Sequence, residues 1–110
     1  MERFIKGDII VLPFPYSDLS VSKKRPALVL ADLEGDDIIL CQITSQFVKD
    51  NYAIMLNDYD FTKGSLNKPS NIRPNRLLTA EKDIIIRKIG RIKPEKFKEV
   101  IDKLFMIISY

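Results

Sequence analysis

The chain carries no histidine, and that absence restricts the chemistry its side chains could do. Without imidazole there is no Ser-His or Cys-His nucleophile, and the commonest general base and metal ligand are missing. Cys41 is the only cysteine. It cannot form an intramolecular disulfide, and alone it cannot build a metal cage. Asp8, Asp18, Asp32, Asp36 and Asp37 fall in turn-like stretches with no paired-carboxylate spacing suited to a metal. Any catalysis is therefore expected to run without metal or cofactor, on Arg, Lys, Tyr, carboxylates, hydroxyls or backbone.

Charge is unevenly spread. Residues 1–59 hold 6 Lys/Arg against 9 Asp/Glu, and residues 60–110 hold 12 against 6, so a net +3 hides an acidic half and a basic half. Such a basic half suits a polyanion or an acidic protein partner, or it is simply a solvated lysine-rich surface.

The elements that must position these groups read mostly as short strands. Gly7-Asp8 opens the β-branched run Ile9-Ile10-Val11-Leu12, which Pro13-Phe14-Pro15 should stop. Arg25-Pro26 starts Ala27-Leu28-Val29-Leu30, and the Glu34–Asp37 turn returns the chain through Ile38 to Thr44 as a hairpin. Tyr52–Leu56 is a further strand candidate, ended by the Asn57-Asp58 turn. Residues 57–71 read as a polar loop, followed by short extended pieces at Ile72-Arg73 and Arg76–Thr79. Ile84–Ile89 fits strand or helix, with Gly90 breaking it. Pro94 suits a first helical turn. Phe97, Val100, Ile101, Leu104, Phe105 and Ile108 then follow helical spacing and should face a core, part of them serving a protein interface. Strands first and a helix last predict a mainly β fold, a small coiled barrel capped by a C-terminal helix.

With 45% hydrophobic and 30% charged residues, the chain has the balance of a folded protein rather than a disordered one. Its 110 residues predict one domain over 1–110. A domain of this size buries only about two-thirds of its unfolded surface, which favours self-association. No apolar run approaches the roughly 20 residues needed to cross a bilayer, and the Met1-Glu2-Arg3-Phe4 start carries no signal-peptide pattern. The expectation is a soluble, cytoplasmic protein.

Four blocks in order resemble the MazF/PemK family of toxins from type II toxin–antitoxin systems. They are Gly7–Pro15 with Lys24–Leu30, then Ile43-Thr44-Ser45, then Ser70–Leu77, then Ile86–Gly90 before the terminal helix. The resemblance covers nearly the whole chain. It implies a small SH3-like barrel, similar to that of the CcdB gyrase poison. It also implies a homodimer that cleaves single-stranded RNA in a groove blocked by a cognate antitoxin.

Within that resemblance Arg25, Thr44 and Arg73 match catalytic positions. The chemistry implied is attack of an RNA 2′-hydroxyl on the neighbouring phosphate. It needs an acceptor for the hydroxyl proton, a cation for the developing phosphorane charge and a donor for the leaving oxygen. A guanidinium offers fixed bidentate donors to phosphate and stays charged at any cellular pH. Thr44 would position the phosphate or serve acid catalysis. In PemK-type members the residue two after the second arginine is an aspartate. Asn75 stands there, and a neutral amide cannot act as acid or base. The loop carrying Tyr16, Ser17, Asp18, Lys23 and Lys24 resembles a flap over the RNA groove, with Tyr16 stacking on bases, the lysines on phosphates, and Phe14 turned inward. Ser45, Gln46, Asn75 and Arg76 complete the expected RNA contacts. Two other readings use the same barrel. A gyrase poison would need a tryptophan near the C-terminus, and this chain has none. The other is a non-catalytic module that binds RNA or protein.

Overall fold

A computed structural model describes residues 3–14 and 23–109; Tyr16, Ser17 and Asp18 lie outside the described residues. Among the described residues seven strands form one sheet: β1 (Asp8–Phe14), β2 (Lys23–Asp32), β3 (Asp37–Thr44), β4 (Ile54–Leu56), β5 (Phe61–Gly64), β6 (Ser70–Glu81) and β7 (Arg87–Ile92). Helix α1 (Pro94–Ile108) follows. The strand order is β4-β6-β3-β2-β1-β7-β5, antiparallel at every pairing. The predicted mainly β fold with a C-terminal helix is the fold observed, a curled antiparallel sheet.

The central strands are apolar on both faces, and each face has its own core. On one, Ile9, Leu28, Cys41, Ile43, Leu56, Ile72 and Ile92 pack under Val100 of α1. On the other, Ile10, Leu12, Phe14, Ala27, Val29, Ile38 and Leu40 pack with Phe4 and Ala80. Each fully buried side chain of this kind contributes roughly 1.5–3 kcal/mol before entropy is counted. Phe14 is turned inward, as expected, and is only 6% exposed.

Besides a shorter β4, which begins at Ile54 and not Tyr52, and a β2 that begins at Lys23 and not Arg25, four departures from the expected strand boundaries have a local cause. β1 continues through Pro13 to Phe14. Its pairing with β7 ends at Val11↔Arg87, so the missing N–H of Pro13 interrupts no ladder on that side. The polar stretch 57–71 contains β5, a strand with only Phe61 buried. The two extended pieces after it are one strand, β6, of 12 residues. Finally, β7 runs through Gly90 instead of ending there. A Cβ at Gly90 would stand 2.7 Å from the Lys63 carbonyl oxygen and 3.0 Å from the Phe61 ring, so glycine lets β5 approach.

The helix begins with Pro94 in its first turn and buries Val100, flanked by Phe97, Ile101 and Leu104. Phe105 and Ile108, expected in the core, are 67% and 66% exposed, and Met106 is 70% exposed. The apolar stripe continues along the helix, but in its last turns these side chains are left in solvent.

Candidate functional site

The second core ends where its strands turn polar. Alternation along β2 carries the face from Val29 and Ala27 to Arg25, and along β3 from Ile38 and Leu40 to Gln42 and Thr44. Ile72 of β6 lies in the opposite core, which puts Arg73 on the polar face, directly paired with Gln42. Beyond Arg73 the β3–β6 register jumps from Gln42↔Arg73 to Cys41↔Leu77. Pro74, Asn75 and Arg76 are thus a bulge with no partners on β3. Proline tolerates this position because no ladder bond is required of it. Three extra residues are an odd number, so the bulge also reverses which face β6 presents afterwards: Leu78 and Ala80 join the second core.

The outcome is a surface cavity of ≈ 180 Å³ lined by Arg25, Gln42, Arg73 and Arg76. Two of the three residues expected to be catalytic, Arg25 and Arg73, meet there with Arg76, one of the expected RNA contacts. Three guanidiniums around one space attract an anion, and planar forks suit the oxygens of a phosphate. Gln42 has no place in the sequence reading; only its cross-strand pairing with Arg73 reveals it.

Thr44 is not among the lining residues. It lies two residues beyond Gln42 on the same strand, 7% exposed, and its Oγ1 accepts the Gln46 N–H at 3.1 Å. Its own O–H proton remains available to donate. Ser45 and Gln46 follow in the open, and the Gln46 carbonyl accepts Asn71 Nδ2 at 3.3 Å. Phe47, which no sequence motif marks, is 84% exposed beside them. Lys23 and Lys24 are exposed at the start of β2, opposite Phe14 and Pro13.

The residue least foreseen is Asp50, in the segment between β3 and β4. Its Oδ2 accepts Arg73 Nη2 at 3.0 Å and Asn75 Nδ2 at 3.5 Å. Its Oδ1 accepts the backbone N–H of Tyr52 at 3.0 Å and of Ala53 at 3.2 Å. The Tyr52 N–H is the largest influence on this carboxyl and holds it below the ordinary value of 3.8. Partial desolvation opposes that, and Arg73 and Ala53 add to it. The site is therefore not without a carboxylate. One arrives from another segment and rests against Asn75.

Among the described residues no group of three or more Cys, Asp or Glu is placed to hold a metal ion, and no helix is long and apolar enough to cross a membrane.

A family model for the "PemK-like, MazF-like toxin of type II toxin-antitoxin system" matches residues 5–108. The chain belongs to this family. No curated protein matches the sequence. Solved structures similar to this PemK/MazF-like chain include a mycobacterial endoribonuclease in complex with its cognate antitoxin. It is 12% identical with a TM-score of 0.75, over 98% of this chain and 99% of that one. The toxin MazF-mt6 of Mycobacterium tuberculosis is 16% identical with a TM-score of 0.72, over 94% and 99%. A MazE–MazF structure from Deinococcus radiodurans gives 16% and 0.73, over 99% and 98%. At these identities the likeness shows the shared fold alone.

Proposed function

We propose that this PemK/MazF-like chain is an endoribonuclease toxin that cuts single-stranded RNA at selected sequences without a metal. The observation that carries this reading is the cavity shared by Arg25, Gln42, Arg73 and Arg76 at the polar end of the second core. A scissile phosphate seated there meets the arginine donors, which hold the charge that develops on its oxygens when the 2′-hydroxyl attacks. With no histidine in the chain, the proton of that hydroxyl passes to solvent or to a non-bridging phosphate oxygen, while Arg25 stays charged and donates to the phosphate. Thr44 supports the phosphate or the leaving oxygen from the end of β3. The products are a 2′,3′-cyclic phosphate and a 5′-hydroxyl.

Around the cavity, Lys23 and Lys24 contact flanking phosphates, and Ser45, Gln46 and Asn75 contact sugar or base edges, with Arg76 on the phosphate. Tyr16, Ser17 and Asp18 keep the flap role that the resemblance implies. Phe47, exposed beside Gln46, offers a surface for a base, and such stacking contributes about 1–3 kcal/mol. The chain acts in the cytoplasm as a homodimer and is silenced by a cognate antitoxin. The exposed Phe105, Met106 and Ile108 on the last helical turns support a protein interface, since a lone chain leaves them in water.

Incubating the purified chain with long single-stranded RNA in excess EDTA, and mapping the product ends, tests this reading. Discrete cuts bearing 2′,3′-cyclic phosphate and 5′-hydroxyl ends are expected. Cleavage abolished by EDTA would overturn the metal-free mechanism. No cleavage across RNAs of varied sequence would favour a non-catalytic binding module.

A further inference from the structure

We infer that Asp50 is the positioning residue of the arginine cavity, holding Arg73 and Asn75 in the orientation from which they meet the RNA. The inference rests on the ribonuclease reading above and adds to it a residue that no motif marks.

Asp50 divides its two oxygens between two tasks. Oδ1 takes the N–H groups of Tyr52 and Ala53, closing a side-chain turn that fixes the carboxylate relative to the backbone before β4. Oδ2 takes Arg73 Nη2 and Asn75 Nδ2. The first task makes the second effective, because a carboxylate already held by two backbone donors loses little further freedom when it grips a guanidinium. The pair is also partly shielded, with the Arg73 and Asp50 side chains 18% and 25% exposed. An ion pair in that setting is less screened than one in open water.

The grip on Arg73 leaves a defined remainder. Arg73 Nε is buried and, among the described residues, has no hydrogen-bond partner. Asn75 Oδ1 is in the same state. Both atoms are closed to solvent, so an incoming phosphate meets the part of the Arg73 guanidinium that faces the cavity, and the grip of Asp50 decides which part that is. Asp50 itself is fully engaged and held below the usual carboxylate range by its donors, so it is a poor proton acceptor near neutral pH. Its contribution is geometric and electrostatic: it sets Arg73 at one angle and offsets the charge of that guanidinium beside the cavity.

Since positions 50 and 75 touch, the carboxylate can be moved from one to the other, and that relocation is the test. Asp50→Asn retains an oxygen for the Tyr52 and Ala53 N–H groups and removes the charge on Arg73. Asp50→Asn/Asn75→Asp returns a carboxylate to Arg73 from β6. The full-length chain is assayed on a long single-stranded RNA transcript of mixed sequence, with kcat and KM separated. The Arg73 Nε–H resonance is followed by 1H–15N NMR in the same proteins.

The single variant is expected to lower kcat by roughly 10- to 100-fold with KM changed less than about threefold, as misplacement of a catalytic group does. The double variant is expected to recover at least about tenfold of that loss. The Arg73 resonance should shift in the first and return towards the parent position in the second. An aspartate at 75 also adds an acid–base group, so Asn75→Asp alone is measured beside the two. A purely loop-shaping Asp50 predicts the same gain from Asn75→Asp with or without Asp50→Asn, and an Arg73 resonance that relocation does not restore. Parental kcat and an unmoved Arg73 signal in Asp50→Asn would overturn the inference, as would a double variant no faster than the single one. If the parent cuts no RNA while the Arg73 signal shifts and returns, the ribonuclease reading falls and the hold of Asp50 on Arg73 stands. If that signal also stays unmoved, both fall.

Discussion

Asp8 shows what one buried carboxylate does for this chain. It is fully buried and accepts the Ile5 N–H at 2.9 Å, Arg91 Nε at 2.8 Å and Lys88 Nζ at 3.1 Å. Burial works to raise its pKa, yet the Ile5 N–H, Arg91 and Lys88 together outweigh it and hold the carboxyl below 3.8. A carboxyl depressed in the folded state stabilises the protein above its unfolded value, and that stability is lost as pH falls through the folded one. Asp8→Asn is therefore expected to cost about 1–3 kcal/mol at neutral pH, since Lys88 and Arg91 lose a buried partner while staying partly solvated. The difference from the parent should shrink below pH 3.8, which urea unfolding at several pH values would measure. Equal stability at neutral pH would contradict the assignment. Cys41 is the opposite case. Burial pushes its thiol up to about 12, so it packs as a small apolar side chain and offers no nucleophile.

At the scale of elements, the bulge in β6 and the glycine in β7 matter most. The bulge delivers Asn75 to Asp50 and Arg76 to the cavity, and no strand periodicity could show it. Pro74-Asn75 reads in sequence as a break between two short pieces, because only the partner strand reveals that pairing resumes at Leu77. β5 was illegible for a different reason: four residues with one buried side chain carry no alternation. By contrast β1, β2, β3 and α1 were legible, their apolar runs and helical spacing being long enough to decide between periods. The same division holds in the site. Arg25 and Arg73, which line the cavity, were readable from ordered motifs. Gln42 and Asp50 were not, since one depends on cross-strand register and the other on a contact 23 positions away. Gly90 provides an element-scale test. Gly90→Ala is expected to cost about 1–3 kcal/mol, as overpacking does, because its Cβ would press on Lys63 backbone and the Phe61 ring. Thermal unfolding would report it, and an unchanged midpoint would mean that β5 is free to move away.

For the whole molecule, the two cores divide the work. The one under α1 draws residues from all seven strands and closes the fold. The other leaves its polar end open, and the arginine cavity sits there. The second half carries a basic excess, 12 Lys/Arg against 6 Asp/Glu. Arg73 and Arg76 come from that half and Arg25 from the acidic one, so folding joins them. The proposed cleavage at this junction is tested by the single-turnover rate of Arg25→Ala against the parent, on one RNA in EDTA, with both proteins shown to be folded. A fall of roughly 10²- to 10³-fold is expected, as for loss of one transition-state donor. A rate equal to the parent's would remove Arg25 from the chemistry and overturn the proposed mechanism.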